Sequence, residues 1–218
     1  MNPDISNINQ YVYKIKSYNL SQIFEKKYLL IDLEATGYDY RNEDIIEISI
    51  LPFINLKQTY NKPKFWFIEP SKPIPKFIQR LTNITQADFK QAVLLDAVLK
   101  ILYDSYLDYI WVAQCGFEFD FPFLKRMYRK YFAVDFPRHT LDTKIMFQYL
   151  YPKVKNTIST NFLLKYYSIN TSLKRHRAQN DVNILSDIFL KIVSDYKKHK
   201  QNTIKISKPL IVKKFVLH

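Results

Sequence analysis

The stretch that decides the fold is Lys27-Tyr-Leu-Leu-Ile-Asp-Leu-Glu-Ala-Thr-Gly37, an apolar run that ends in two carboxylates, a threonine and a glycine. The positions from Tyr28 to Leu33 predict a strand buried on both faces, and Gly37, one of two glycines in the chain, ends it. Alternate side chains of a strand share a face, so Asp32 and Glu34 point the same way. Neighbouring carboxylates repel each other unless a cation lies between them, and a divalent metal ion is the usual one. Taken alone, the pair is equally typical of a solvated strand end.

The composition limits the class of protein. A chain of 218 residues that is 47% hydrophobic and 16% aromatic can bury one good core. The formal charge of +13 favours a polyanionic partner such as nucleic acid, although the bias towards Lys, Asn, Ile and Tyr is also typical of a skewed nucleotide composition in the source. A single cysteine, Cys115, excludes an internal disulfide and a thiolate zinc cluster. No run approaches the roughly 18 apolar residues of a membrane span, so we expect a soluble, cytoplasmic protein without membrane contact.

The order of the predicted elements favours an α/β fold with a mixed sheet. Short connections join the first strand to strands at 45–51 and 65–68, which predicts a three-stranded antiparallel meander. A strand at 109–113 follows an amphipathic helix at 94–107 and can therefore run parallel to the first strand. Further helices are expected at 76–80, 120–131, 161–167 and 180–198. A capping box of Thr85 and Asp88 predicts the start of another helix, and a last one is expected to start at 140–143 with Asp142 as its cap.

The chain divides into three parts on these patterns. Residues 1–26 are an N-terminal arm, expected to lie partly ordered against the domain. Residues 27–200 form the domain, and residues 201–218 form a basic and apolar C-terminal tail. The tail is either a packed strand or a partner-binding segment. The sequence contains no internal repeat and no glycine- or serine-rich linker, so these patterns do not predict a second domain.

Two later segments carry side chains suited to a site. Residues 114–120 lie where a strand gives way to a helix, which is where an α/β sheet presents its functional edge. His176 and Asp181 flank the start of the last long helix, in a neighbourhood made basic by Lys174, Arg175 and Arg177. On one continuous helix these two side chains would lie about 140° apart, so they converge only if His176 precedes the helix. Taken singly, Asp181 is equally typical of a helix cap, and His176 is equally typical of a histidine on the surface.

Three motifs in one order carry a resemblance. They are Asp32-Leu-Glu-Ala-Thr-Gly37, Phe119-Asp120 followed by Phe121-Pro-Phe-Leu124, and His176-Arg-Ala178 with Asp181. Together they resemble the signature motifs of the DnaQ-like (DEDDh) 3′ to 5′ exonucleases, and in particular the proofreading exonucleases of the DNA polymerase III epsilon type. The segments 69–85 and 141–143 are similar to the corresponding parts of that family, so the resemblance covers about residues 27–193. Single motifs are weak signals, but their ordered conjunction is specific.

The resemblance implies a ribonuclease H-like fold and a two-metal hydrolase. It implies that Asp32, Glu34 and Asp181 hold one divalent ion, and that Asp32 with Asp120, partly through water, holds the second. Two metal ions about 4 Å apart lower the pKa of the attacking water and stabilise the leaving 3′ oxygen. Oxygen ligands favour Mg²⁺ or Mn²⁺, two per site, over Zn²⁺. His176 would be the general base, because the ordinary pKa of histidine, about 6.5, is close to operating pH.

The same resemblance implies substrate contacts near the first two motifs. The backbone around Ala35 and Thr36 would meet the terminal nucleotide, and the 81–82 region would lie against its base. The full set of expected substrate contacts is Ala35, Thr36, Gly37, Leu81, Thr82 and Phe119. Two departures stand out: Cys115-Gly116 replaces the His-Asn of many members, which puts sugar preference and rate in question, and Asn83 replaces a common glycine.

The expected function is a metal-dependent exonuclease that releases nucleoside monophosphates from the 3′ ends of single-stranded or frayed DNA, of the proofreading or repair type. An RNA 3′ to 5′ exonuclease is the first alternative, because contacts to the 2′-hydroxyl are not encoded in the motifs. A non-catalytic nucleic-acid or polymerase-binding module is the second, and the filled catalytic positions count against it. The expected partners are single-stranded DNA or RNA 3′ ends, with a DNA polymerase as a further candidate.

Overall fold

The computed structural model describes residues 2–214 as two sheets with helices packed against them. In chain order the elements are β1 (Asp4–Asn7), β2 (Val12–Ser21), β3 (Lys27–Ala35), β4 (Ile45–Ile54), β5 (Lys57–Gln58), β6 (Lys64–Phe67), α1 (Lys76–Thr82), a 3₁₀ helix (Gln86–Gln91), α2 (Leu95–Tyr106), β7 (Ile110–Ala113), α3 (Asp120–Phe132), β8 (Thr140–Asp142), α4 (Thr143–Leu150), α5 (Thr160–Tyr166), α6 (Ala178–Lys198), β9 (Thr203–Ile206) and β10 (Leu210–Lys213).

The larger sheet has the strand order β5-β4-β3-β7-β8, and β6 also pairs with β4. Strands β3, β4 and β6 are antiparallel neighbours, whereas β3, β7 and β8 run parallel. The predicted meander and the predicted parallel strand are both confirmed. The sheet is thus mixed, and its parallel strands deliver β3 and β7 to a common edge at their carboxyl ends.

Strand β3 is buried on both faces, as its apolar run predicts. Tyr28 and Leu30 face one core, which α4 and α6 complete, while Leu29 and Ile31 face the other core, against α2 and α3. All four side chains have no exposed surface. Burying a large apolar side chain contributes about 1.5–3 kcal/mol, so this strand is a rigid base for the carboxylates at its end.

The helices agree with the sequence pattern apart from two local differences. Asp88 accepts hydrogen bonds from the Thr85 N–H and hydroxyl, at 2.8 and 3.0 Å, but this capping box opens a 3₁₀ helix instead of an α-helix. Asp142 caps α4 as expected, accepting from the Lys144 N–H at 2.8 Å. The preceding residues from Thr140 form the short strand β8 and not the first turn of a helix. Three residues are too few to show a strand period.

The smaller sheet is built from both ends of the described chain. Its central strand, β2, pairs antiparallel with β1, β9 and β10. Buried side chains of this terminal sheet join the core that contains α4 and α6: Tyr13, Ile15, Tyr18, Ile204, Ile206 and Val212. The packed-strand alternative for the tail is therefore confirmed up to residue 214, and residues 215–218 lie outside the described residues. The boundaries at 26/27 and 200/201 stay predictions.

Among residues 2–214, no helix combines the length and the apolar character needed to cross a membrane.

Candidate active site

The first part of the site is the carboxyl end of β3. Asp32 and Glu34 are partly buried and alternate with the buried Ile31, Leu33 and Ala35, so both carboxylates lie on one face as expected. Burial raises the pKa of Asp32 and that of Glu34, and the nearby acidic residues of the later segments raise both pKa values further. Two acids held together in this way favour a bound cation.

The second part is the start of α3, which brings Asp120 to β3. Asp120 is only 4% exposed, and its Oδ1 accepts a hydrogen bond from the Leu33 N–H at 3.1 Å. Burial raises the pKa of Asp120 to about 8, although the Leu33 N–H opposes that change. The contact places this carboxylate beside the strand that carries Asp32 and Glu34.

The third part is the loop before α6. His176 lies on this loop, as the spacing predicts, and has a left-handed backbone with φ of 64°. Its N–H donates to Oδ2 of Asp181 at 2.6 Å, and Asp181, in the first turn of α6, is 8% exposed. Burial lowers the pKa of His176, and the charge of Arg175 lowers it further, against the opposing effect of Asp181. The imidazole is therefore neutral near pH 7 and able to accept a proton.

The three segments converge. Ligand atoms of Glu34, His176 and Asp181 lie within 4.8 Å of one another. Burial raises the pKa of Asp32, and the charges of Asp181 and Asp120 raise it further. Carboxylate oxygens concentrated at one place, where burial and neighbouring acids raise the pKa values of Asp32, Glu34 and Asp120, fit a hard divalent cation such as Mg²⁺ or Mn²⁺.

Arginine 175 supplies positive charge to this cluster from within the chain. Its Nε donates to Oδ1 of Asp181, and its Nη1 donates to Asn161 of α5 at 3.2 Å. Together with the N–H of His176, Arg175 thus occupies both oxygens of Asp181. Sequence reasoning treated this arginine only as part of a basic neighbourhood.

A buried acid at the site escaped sequence reasoning altogether. Glu47 of β4 is completely buried, and it lies opposite Glu34 in the pairing of β3 with β4. Its Oε2 accepts from the N–H of Ala178 at 3.0 Å and from Nε of Arg177 at 3.3 Å. The available signal was a charged residue inside the apolar run 45–51, a position where an unpaired charge is unfavourable.

The expected substrate contacts fall into two groups. Ala35, Thr36 and Gly37 are buried. Thr36 makes its hydrogen bonds within the protein, because its N–H donates to the Asp44 carbonyl at 2.8 Å and its hydroxyl donates to Glu43. Thr82 is also buried, and its hydroxyl donates to the Ile78 carbonyl at 2.9 Å. Leu81 and Phe119 keep partly exposed side chains. Their role in substrate binding stays a prediction.

The departures from the family pattern have clear structural settings. Asn83 has φ of 58° and ends α1, a left-handed position that asparagine tolerates. Cys115 also has a left-handed backbone, with φ of 59°, and its N–H donates to Asp142 at 3.2 Å. Burial raises the pKa of the Cys115 thiol, so it is uncharged. A Cβ added to Gly116 would lie 2.6 Å from the Cβ of Ala113, so close packing requires this glycine.

A buried ion pair supports the loop that precedes Asp120. Lys144 of α4 has no exposed surface, and its Nζ donates to Glu118 at 2.6 Å and to the carbonyl of Lys213 in β10 at 3.0 Å. Burial alone would lower the pKa of Lys144, but the surrounding acidic groups, including Glu118 and Asp142, raise it overall. The lysine therefore stays charged and links the terminal sheet to the second motif.

Comparison with known proteins identifies the family. The family model described as Exonuclease (RNase_T) matches residues 29–189. A PolC-type DNA polymerase III from Mycoplasma genitalium is 26% identical over 184 residues, which are 84% of this chain and 12% of that protein. The 3′-5′ exonuclease DinG from Staphylococcus aureus is 29% identical over 180 residues, which are 82% of this chain and 19% of that protein. The chain thus spans less than a fifth of the length of these relatives.

Solved structures agree on the fold. Exonuclease X in complex with 5′ overhanging duplex DNA has a TM-score of 0.58 and 22% identity, covering 78% of this chain and 93% of that chain. The nuclease domain of 3′hExo, a DEDDh family member bound to rAMP, has a TM-score of 0.65 and 16% identity, covering 79% of this chain and 94% of that chain. At these identities the likeness shows the ribonuclease H-like fold. The family model covers most of residues 27–200, and the chain therefore belongs to the exonuclease (RNase_T) family.

Proposed function

We propose that this chain removes nucleoside monophosphates from the 3′ ends of single-stranded or frayed DNA, with two divalent metal ions. The observation that carries the proposal is the convergence of Glu34, His176 and Asp181 from β3 and the start of α6, beside the buried Asp120 of α3. Chain segments far apart in sequence bring these side chains together in a partly buried place, which is an arrangement that suits two-metal phosphodiester hydrolysis.

The metal-binding role falls to four carboxylates. Asp32, Glu34 and Asp181 would hold one ion, and Asp32 with Asp120 the other, with Mg²⁺ or Mn²⁺ as the ions that fit an all-oxygen donor set. When bound, such ions supply a lower pKa for the attacking water and charge stabilisation at the leaving 3′ oxygen.

The chain's own side chains supply the remaining functions. His176, which is neutral near pH 7, accepts the proton of the attacking water. Asp181 orients this residue by accepting the hydrogen bond of its backbone N–H. Phe119 and Leu81 are the expected contacts with the terminal nucleotide whose side chains are partly exposed, and the basic residues at 174–177 would attract the phosphates.

DNA is the preferred substrate in this proposal because the two curated relatives reported above are a DNA polymerase and a 3′-5′ exonuclease. RNA is the second candidate, favoured by the similarity to a nuclease domain bound to rAMP. Association with a DNA polymerase is part of the proposal on the strength of the PolC-type relative alone.

The test is degradation of 5′-labelled single-stranded DNA and RNA of one sequence, with Mg²⁺, Mn²⁺ or chelator. We expect a ladder of 3′-shortened products that chelator abolishes and that Asp181→Ala reduces at least about 100-fold. Glu25→Gln, a change at an exposed residue, is the matched control and should retain full activity. Full activity in Asp181→Ala would refute the site. Tight binding without shortening under every metal condition would favour a non-catalytic module, and the ratio of DNA to RNA rates decides the substrate.

A further inference from the structure

We infer that Glu47 is a positioning residue: it fixes the start of α6 against the sheet and thereby sets the places of His176 and Asp181. This inference rests on the proposed function and concerns the same site. Glu47 lies outside the three motifs, on the strand next to the one that carries Asp32 and Glu34.

The first argument is that α6 begins without a cap of its own. The first N–H groups of a helix have no acceptor within the helix, and they are usually satisfied by the side chain of the preceding residue. That residue is Arg177, whose side chain has no oxygen and makes no capping hydrogen bond. Glu47 takes the place of a cap from another strand, because its Oε2 accepts from the N–H of Ala178 at 3.0 Å.

The second argument is that Glu47 and Arg177 together tie the start of the helix to β4 and β6. Within the sheet Glu47 pairs with Glu34 of β3 and with Phe67 of β6. The guanidinium of Arg177 donates to Oε2 of Glu47 at 3.3 Å and lies 5.3 Å from the centre of the Phe67 ring. Arg177, the residue before α6, is thus held by the carboxylate of Glu47 and by the face of the Phe67 ring.

The third argument comes from the backbone of His176. Its φ of 64° is rare for a residue other than glycine, and such a conformation persists only where the surroundings hold it. Asp181 holds it through the N–H of His176, and Glu47 holds the chain two residues later. Without Glu47 the loop is free to relax, which would move the imidazole away from the acids of β3.

The fold alone does not require a carboxylate at this position. Glu47 has no exposed surface, and among residues 2–214 its Oε1 has no hydrogen-bond partner. Burying a charge in this way is unfavourable, and an apolar side chain of similar size commonly serves packing as well or better. The contacts to Ala178 and Arg177 are what such a replacement would lose.

The experiment compares Glu47→Gln and Glu47→Met with the control Glu25→Gln in the complete chain, using 5′-labelled single-stranded DNA. We expect kcat to fall about 10- to 100-fold in Glu47→Met, as displacement of a catalytic group produces, while KM stays within about threefold. Glu47→Gln keeps an acceptor for the Ala178 N–H and should lose less. Thermal unfolding and circular dichroism report the folded fraction. Arg177→Gln changes the other residue of the Glu47–Arg177 contact and should also lower kcat.

A double-mutant cycle separates positioning from general damage. If Glu47 acts through His176, then adding Glu47→Met to His176→Ala should lower kcat by less than about threefold more. Effects that multiply would overturn the inference. So would a kcat of Glu47→Met within about twofold of the unaltered protein, or a loss of activity that only follows the folded fraction.

Nuclear magnetic resonance gives a readout that does not depend on turnover. The imidazole signals of metal-free protein, assigned with His176→Ala, should show the His176 resonance shifted in Glu47→Met and those of the other three histidines unchanged. If the unaltered protein shortens neither DNA nor RNA, the proposed function fails, and the histidine signals still decide the inference: an unshifted His176 resonance overturns it.

Discussion

Replacing Asp120 with Asn is expected to stabilise the metal-free protein at neutral pH. The asparagine keeps the acceptor for the Leu33 N–H and removes a carboxylate that is 4% exposed. Burial raises the pKa of Asp120 to about 8, against an ordinary value of 3.8. The native state therefore keeps the proton across a pH range in which the unfolded chain releases it. The stability from this group is fully present below pH 3.8 and is lost as pH rises towards 8.

The magnitude follows from that difference in bound protons. While one state holds the proton and the other does not, the free energy of unfolding changes by about 1.36 kcal/mol per pH unit. Between pH 5.5 and pH 7.5 the advantage of Asp120→Asn should grow by up to about 2.5 kcal/mol, and water entering the metal-free site reduces this to about 1–2 kcal/mol. The lowered pKa of His176 has the opposite effect on the free energy of unfolding, which falls as pH drops below 6.5. Both proteins contain His176, so its contribution cancels when their free energies of unfolding are subtracted.

The assay is urea unfolding with chelator at both pH values, with Glu25→Gln as the control. Added Mn²⁺ should reverse the order, because ions that bind the native state alone stabilise the protein that binds them more tightly. An advantage of Asp120→Asn that does not change between pH 5.5 and 7.5, or an unaltered protein that is the more stable of the two with chelator at pH 7.5, would refute the reasoning.

Three further outcomes are expected. Lys144→Met should lower the free energy of unfolding by about 3 kcal/mol because it removes the buried ion pair with Glu118, and the combined change with Glu118→Leu should recover most of that loss; equal losses in urea unfolding would contradict the role of the ion pair. His176→Ala should lower kcat at least about 100-fold and leave calorimetric Mn²⁺ affinity within about threefold, whereas a large loss of affinity would make His176 a metal ligand. Gly116→Ala should lower stability by about 1–3 kcal/mol in thermal unfolding, since the new Cβ would lie 2.7 Å from the Phe121 ring, and an unchanged melting temperature would contradict that packing.

Short-range patterns explain what the sequence predicted well. The apolar run of β3 specifies burial on both faces, and the two-residue period of a strand places Asp32 and Glu34 together. The interval between His176 and Asp181 allows convergence only with the histidine on the loop, which is where it lies. These inferences needed only the local geometry of a strand and a helix.

The parts that could not be predicted depend on contacts between distant residues. Glu47 meets Ala178 at a separation of 131 residues, and Lys144 meets Lys213 at a separation of 69. In the sequence each is a single charge with no marked partner. The terminal sheet was hidden for the same reason, because nearly the whole chain separates β2 from its partners β9 and β10.

The contacts that assemble the site also reduce the repulsion among its acids. The Leu33 N–H reaches Asp120, and the His176 N–H reaches Asp181, so fixed backbone dipoles oppose the repulsion where solvent is excluded. They oppose it only in part, since the pKa values of Asp120 and of the two acids of β3 remain raised. Cation binding removes the remaining repulsion, and its affinity includes that gain. An acid-to-amide change that stabilises the metal-free fold must therefore weaken metal binding.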